Sequence, residues 1–452
     1  MASHDAHRAI SLDDGSAHDH DHDTWTRRDF LLRAGFGGAA TLALAGLPVQ
    51  AMCGGRLLDQ VAALETDRVL VLLQLKGGND GLNTVVPVRN DLYYRARPRL
   101  AIPRADTVAL DDMHGLNPAL RPLERLWGDG RMAVVHGTGY ADSSLSHFES
   151  LDIWATARRP VAADATGWAA AALGGVEVDV DADPDDDTDV APPTLAAPTA
   201  PPAIQIGAHH PLLFSDRGFD LGLTIGSTTA LERILAGAGL YDPSDRPPLP
   251  YGDELAYARE VANAANRYIG AVRTATERIR PAGGYPETPL GEHLSAVARM
   301  IRGRLDTRIY LVTLDGFDTH RRQAERHTEL LDDLATAVHA FYADLDASGD
   351  SVRTLTMTFS EFGRRVAENG SAGTDHGTAA PLFAFGPAVA GGLYGTAPDL
   401  SRLDASGNVA PTTDFRQTYA AVLGGWLGLP PAEVTAVLGG TYAAIPFVGA
   451  RR

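Results

Sequence analysis

The chain has 452 residues, 44% hydrophobic and 21% charged, which sets aside a wholly disordered or fibrous protein. Its 39 basic against 57 acidic residues leave a formal charge of −18, so no nucleic-acid partner is expected, because such a partner needs basic patches. The single cysteine, Cys53, admits no internal disulfide and no thiolate cluster, so a metal site must draw on His, Asp, Glu, Ser or Thr.

The amino terminus carries Arg27-Arg28-Asp29-Phe30-Leu31 and then a small-residue apolar stretch from Ala34 to Leu47. Paired arginines before such a stretch resemble a twin-arginine export signal, with Val49-Gln50-Ala51 as the cleavage site. Residues 1–51 are therefore expected to be removed, and the mature chain to be periplasmic or extracellular. The stretch is too short and glycine-rich for a stable membrane span. The alternating His18-Asp19-His20-Asp21-His22-Asp23 lies upstream of that cut and is given no role in the mature chain.

Arg68–Leu75 is a near-continuous apolar run, the mark of a strand buried on both faces of a parallel sheet. Arg131–His136, Arg308–Leu314, Thr354–Phe359 and Pro381–Phe385 repeat it. Between them, apolar residues recur at helical spacing: Leu290, Leu294, Val297, Ala298 and Ile301, then Leu330, Leu331, Leu334, Val338, Phe341 and Leu345. The alternation predicts a doubly wound α/β fold, a mostly parallel sheet with helices on both faces. Residues 176–203, acidic and then Pro/Ala/Thr-rich, read as a solvated linker or surface insertion. Residues 204–285 read as a helical insertion, with a long polar helix from about Asp253 to Ile279.

Polar residues gather at the strand ends. After the first strand comes Asn79-Asp80-Gly81, and after the second Asp142-Ser143-Ser144-Leu145-Ser146-His147. After the third comes Asp315-Gly316-Phe317-Asp318-Thr319-His320, and after the fourth Ser360-Glu361-Phe362-Gly363-Arg364. Thr374-Asp375-His376 stands just ahead of the fifth. In a parallel sheet such loops converge on one rim. Carboxylates and imidazoles collected there call for a cation, and two divalent ions would satisfy the whole set. Each piece alone has a plainer reading. Asp80 favours a turn, and Ser146, three residues before Glu149, has the spacing of a capping box.

These motifs together resemble the exported bacterial proteins of the domain of unknown function 1501 family, placed in the alkaline phosphatase and sulfatase superfamily. The segments are Leu75-Lys76-Gly77-Gly78-Asn79-Asp80-Gly81, Ser146-His147-Phe148-Glu149-Ser150, Gly316-Phe317-Asp318-Thr319-His320, Phe359-Ser360-Glu361-Phe362-Gly363-Arg364 and Gly373-Thr374-Asp375-His376-Gly377. The resemblance spans roughly residues 65–435 outside the linker. It implies an alkaline phosphatase-like domain in which Asp80, Asp318, His320, Glu361 and His376 bind divalent metal (zinc, manganese, magnesium or calcium). Ser146 is the implied nucleophile and Ser143 its runner-up. Glu361 stands where the superfamily often has Asp-His, and Arg364 either pairs with Glu361 or binds an anionic oxygen of the substrate.

The reading is an exported metal-dependent hydrolase of a small phosphate or sulfate ester, with a co-encoded protein as a plausible partner. The alternative is a catalytically silent binding protein on the same fold. A serine esterase is disfavoured, because no Gly-x-Ser-x-Gly elbow is present.

Overall fold

The computed structural model describes residues 41–44, 47–50, 66–162, 165–174, 200–207, 212–216, 219–220, 222–226, 267–280 and 283–449. Arg27, Arg28 and the proposed cleavage site up to Ala51 therefore lie largely outside the described residues. Thr41–Leu44 and Leu47–Gln50 pair as a short antiparallel hairpin.

Among the described residues, nine strands form the central sheet. In chain order they are β1 (Val69–Lys76), β2 (Met132–Gly139), β3 (Ala203–Ile206), β4 (Gly222–Ile225), β5 (Ile309–Asp315), β6 (Thr354–Phe359), β7 (Ala379–Phe385), β8 (Gly392–Tyr394) and β9 (Thr413–Asp414). The spatial order is β4-β3-β5-β1-β6-β7-β2-β8, with β9 also paired to β2. Every pairing is parallel except the two made by β7. The sheet is thus mixed but mostly parallel. The single reversed strand has a consequence for the site: the start of β7 lies at the same rim as the ends of β1, β2, β5 and β6.

Helices cover both faces. Along β1, Val69, Val71, Leu73 and Leu75 enter one apolar cluster, with Leu290, Leu294, Leu330 and Leu334 from α2 (Pro289–Arg302) and α3 (Gln323–Ser348). The alternate residues Leu70 and Leu72 enter a second cluster with Trp154, Trp168, Tyr419 and Trp426. Trp154 belongs to α1 (His147–Thr156). This two-sided burial is why β1 reads as an unbroken apolar run rather than an alternating one. Thr288 caps α2, its Oγ1 accepting from Gly291 N at 3.1 Å, which satisfies one donor the helix itself cannot.

Two expectations need correction. Residues 204–285 are not wholly a helical insertion, since β3 and β4 fall at their start and join the main sheet. Strands of four residues are too short to display a period. The linker reading also fails at its carboxyl end, where Ala200, Pro201, Pro202 and Ala203 are buried. Pro202 O accepts from Arg308 N at 2.9 Å, which leads the chain into the sheet. Residues 175–199 and 227–266 lie outside the described residues. Among the described residues, no helix is long and apolar enough to cross a membrane.

Candidate metal centre

Asp318, His320 and His376 meet at the rim. Asp318 and His320 follow β5, and His376 precedes β7. Asp318 Oδ1 lies 3.1 Å from His376 Nε2 and 3.1 Å from His320 Nε2, and those two nitrogens are 3.0 Å apart. A third imidazole, His147 at the start of α1, brings its Nε2 to 3.9 Å from the same oxygen. His147, Asp318 and His376 each offer a ligand atom within 4.8 Å of one another.

Close loop packing makes this possible. The turn after β1 crosses the turn after β5, and Gly77 stands at the crossing with φ +121°. A Cβ there would lie 2.3 Å from Asp318 N, which only glycine avoids. Gly363 and Arg364 pair with Gly377 and His376 as a two-residue antiparallel ladder, joining the loop after β6 to the loop before β7.

The outer nitrogens settle the tautomers. His376 Nδ1 donates to Leu145 O at 3.0 Å, and a carbonyl can only accept. His320 Nδ1 donates to Asp375 Oδ1 at 3.2 Å, and His147 Nδ1 to Glu361 Oε1 at 2.9 Å. Each ring thus carries a proton on Nδ1 and turns its Nε2 inward, the atom that bears the lone pair in the neutral ring. An acceptor behind each ligating imidazole is the usual outer support of a metal site. Two lone pairs at 3.0 Å repel unless a cation or proton lies between them. With bonds of about 2.0–2.2 Å, tetrahedral ligands stand about 3.3 Å apart, near the spacings seen here.

The electrostatics agree. Partial burial would raise Asp318, but the Arg364 guanidinium, 2.7 Å from its Oδ1, holds the carboxyl below the ordinary range. Burial pushes His376 down, against the opposing pull of Asp318. Asp375 is held low, first by the Asn369 amide and then by His320 against a smaller cost of burial.

The other anticipated residues are placed differently. Asp80 does not join the cluster: it is fully buried and ion-paired to Arg97 at 2.6 Å. Burial would raise its pKa, yet the Arg97 charge and hydrogen bond prevail and lower it. Glu361 stands behind His147, its Oε1 also accepting from Gly77 N at 2.7 Å. Its Oε2 is buried with no partner among the described residues.

Arg364 was expected at Glu361 or at a substrate oxygen. Instead its buried guanidinium donates to Gly78 O at 2.8 Å, Thr374 O at 2.9 Å, Phe317 O at 2.9 Å, Gly77 O, and Asp318 Oδ1 at 2.7 Å. One Nη1 N–H has no part in these bonds, but the side chain exposes no surface to a substrate.

Ser146 is exposed and immediately precedes α1, and its side chain makes no capping bond. It stands between Leu145, whose carbonyl holds His376, and His147. Leu145 and Asp142 both have positive φ, +59° and +53°, conformations that cost a non-glycine residue free energy. Ser143 Oγ accepts from Leu145 N at 3.4 Å. His147 and Arg97 were given no role of their own by the sequence reading. His147 lies within a quoted motif, but spacing alone does not say which ring faces inward.

Residues 255–438 match the family model described as "Protein of unknown function (DUF1501)". No curated protein matches the chain. Among solved structures, similarity is found to Ps i-CgsB in complex with k-i-k-neocarrahexaose, at 12% identity over 83% of this chain and 75% of that one, with a TM-score of 0.36. The PsFucS1 sulfatase from Pseudoalteromonas sp. matches at 10% identity over 89% and 76%, TM-score 0.34. The alkaline phosphatase from the Antarctic bacterium TAB5 matches at 10% identity over 73% and 95%, TM-score 0.29. The matched segment 255–438 holds Asp318, His320, Glu361 and His376, so this part of the chain is similar to the DUF1501 family of proteins of unknown function.

Proposed function

We propose that the chain is a metal-dependent hydrolase of a small phosphate or sulfate ester, working outside the cytoplasm. The observation that carries this reading is the inward ring of three imidazole nitrogens and one carboxylate oxygen, each imidazole backed by its own acceptor. The donor set suits zinc, manganese or a similar divalent ion better than magnesium or calcium, which favour oxygen ligands. Asp318, His320, His376 and His147 would hold it. When bound, such an ion supplies Lewis-acid polarisation of an ester oxygen.

The chain's own groups supply the rest. Asp375, Glu361 and the Leu145 carbonyl keep the three rings in one tautomer. Arg364 fixes Asp318 and is not itself a substrate ligand. Ser146 offers an uncommitted hydroxyl beside the amino end of α1, an end that favours an anionic group through the helix dipole. The proposed nucleophilic step breaks the bond from phosphorus or sulfur to the alcohol oxygen and forms one to Ser146 Oγ. The serine proton passes to the departing alkoxide, which leaves as the alcohol; water then adds at phosphorus or sulfur, breaks the bond to Oγ, returns a proton to it and releases the acid.

Elemental analysis of the chain recovered from its export compartment tests this, combined with hydrolysis of an aryl phosphate and an aryl sulfate. Bound divalent metal, with hydrolysis lost in Asp318→Asn, is the expected outcome. A correctly folded chain without metal would favour the binding-protein alternative.

A further inference from the structure

We infer that this centre takes one divalent cation rather than two. The buried Asp80–Arg97 pair stands in for the second, and through Gln323 it braces both loops that carry the ligand side chains. This rests on the metal-centre reading above.

Asp80 already uses three of its four lone pairs, both of those on Oδ2. Its Oδ1 accepts from Leu82 N at 3.2 Å, and its Oδ2 accepts from Arg97 Nη1 at 2.6 Å and from Gln323 Nε2. Neither Asp80 nor Arg97 exposes any side-chain surface. The guanidinium cannot swing aside to admit an ion. Its Nη1 also donates to Asn83 Oδ1 at 2.8 Å, its Nε to Val366 O at 2.8 Å and its Nη2 to Arg365 O at 2.9 Å. Moving it would strand a buried charge and three acceptors. A divalent ion at Asp80 would also face that fixed positive charge in a medium of low dielectric.

Charge counting points the same way. Asp80, Asp318, Glu361 and Asp375 carry four negative charges. Arg97 and Arg364 are buried against two of them. One divalent ion balances the remaining two before the partly exposed Arg365, 4.0 Å from Asp375 at the solvent edge, is counted.

Gln323 converts the pair into a brace. It opens α3 and is fully buried. While its Nε2 donates to Asp80, its Oε1 accepts from Thr319 Oγ1 at 3.2 Å and Thr374 Oγ1 at 2.6 Å. Thr319 lies between Asp318 and His320, and Thr374 directly precedes Asp375 and His376. One amide therefore holds both ligand-bearing loops against a fixed anion. Gln323 is a positioning residue, acting through those two threonines.

The test is equilibrium titration of the metal-stripped full chain with Zn²⁺, with bound metal counted by elemental analysis and folding checked by circular dichroism. Wild type should bind one ion per chain. Asp80→Asn should still bind one, no more than about tenfold more weakly. If that variant does not fold, Asp80→Asn/Arg97→Gln, which removes both charges, replaces it. Gln323→Met should keep the one-ion stoichiometry but weaken affinity about 10–100-fold and alter the visible spectrum of the Co²⁺-loaded chain.

Two ions per wild-type chain, or an ion lost on neutralising Asp80, would overturn the inference and leave the hydrolase proposal standing. Unchanged affinity and spectrum in Gln323→Met would overturn the brace. No ion in folded wild type would overturn the metal centre itself, and this inference with it.

Discussion

The Nε2 atoms of His320 and His376 face one another at 3.0 Å while each ring donates its Nδ1 proton outward, to Asp375 and to the Leu145 carbonyl. The acceptors set this arrangement, so removing one should release a ring. Asp375→Ala is expected to weaken Zn²⁺ affinity about 10–100-fold. Glu361→Gln keeps an oxygen for His147 Nδ1 and should cost less. Isothermal titration with Zn²⁺ checks the pair, and equal effects from both would count against the tautomer argument.

Ser146 and Ser143 separate by kinetics. Ser146→Ala should lower hydrolysis of an aryl phosphate or sulfate by about 10³-fold or more with metal content unchanged. Ser143→Ala should stay within about fivefold of wild type, because its hydroxyl accepts from Leu145 N and serves the loop. The reverse pattern would move the nucleophile to Ser143.

Arg364 should behave as a structural residue. Its guanidinium ties the turns after β1, β5 and β6 to the loop before β7, and lysine offers a single point of attachment for these acceptors. Arg364→Lys is expected to cost about 3 kcal/mol in urea unfolding. A KM rise at unchanged stability would restore the substrate-binding role.

Acid should weaken the fold by way of buried imidazoles. Burial pushes His327 down to about 4, and burial followed by the nearby His114 does the same to His136. Above about pH 6.5 both rings are neutral in the folded and unfolded chain, so they add no pH dependence there. As pH falls from about 6.5 to about 4, the unfolded chain takes up protons that the folded one refuses, and stability is lost by about 3 kcal/mol per ring. His327 Nε2 donates to Asn79 Oδ1 at 2.9 Å, a bond that glutamine can replace. His327→Gln should therefore flatten the loss between pH 7 and pH 4.5 in urea unfolding. An unchanged slope would show that another group carries it.

What spacing can reveal sets how much of this was legible beforehand. β1, β2, β5, β6 and β7 were readable because both faces of each are buried, which writes a continuous apolar run. β3 and β4 were not, being four residues long with Gln205 inside one and Gly222 opening the other. Asp318, His320 and His376 stood out as polar residues at strand ends, and the reversal of β7 explains why His376 comes before its strand. Arg97 and Gln323 carry no such mark. One follows a short helix and the other opens a long one, and each matters only through a partner distant in sequence. The Asp80–Arg97 pair also shows that a carboxylate at the expected strand end can find its partner in a buried guanidinium, which strand-end spacing does not reveal.

The central claim is that His147, His320, His376 and Asp318 hold one divalent ion. Its most direct test is an anomalous difference map from crystals grown with Zn²⁺, recorded on both sides of the zinc edge. The account predicts a peak about 2.0–2.2 Å from Asp318 Oδ1 and from the inward Nε2 atoms, with none at Asp80. An ordered structure with no peak among those side chains, or with the peak seated at Asp80, would contradict it.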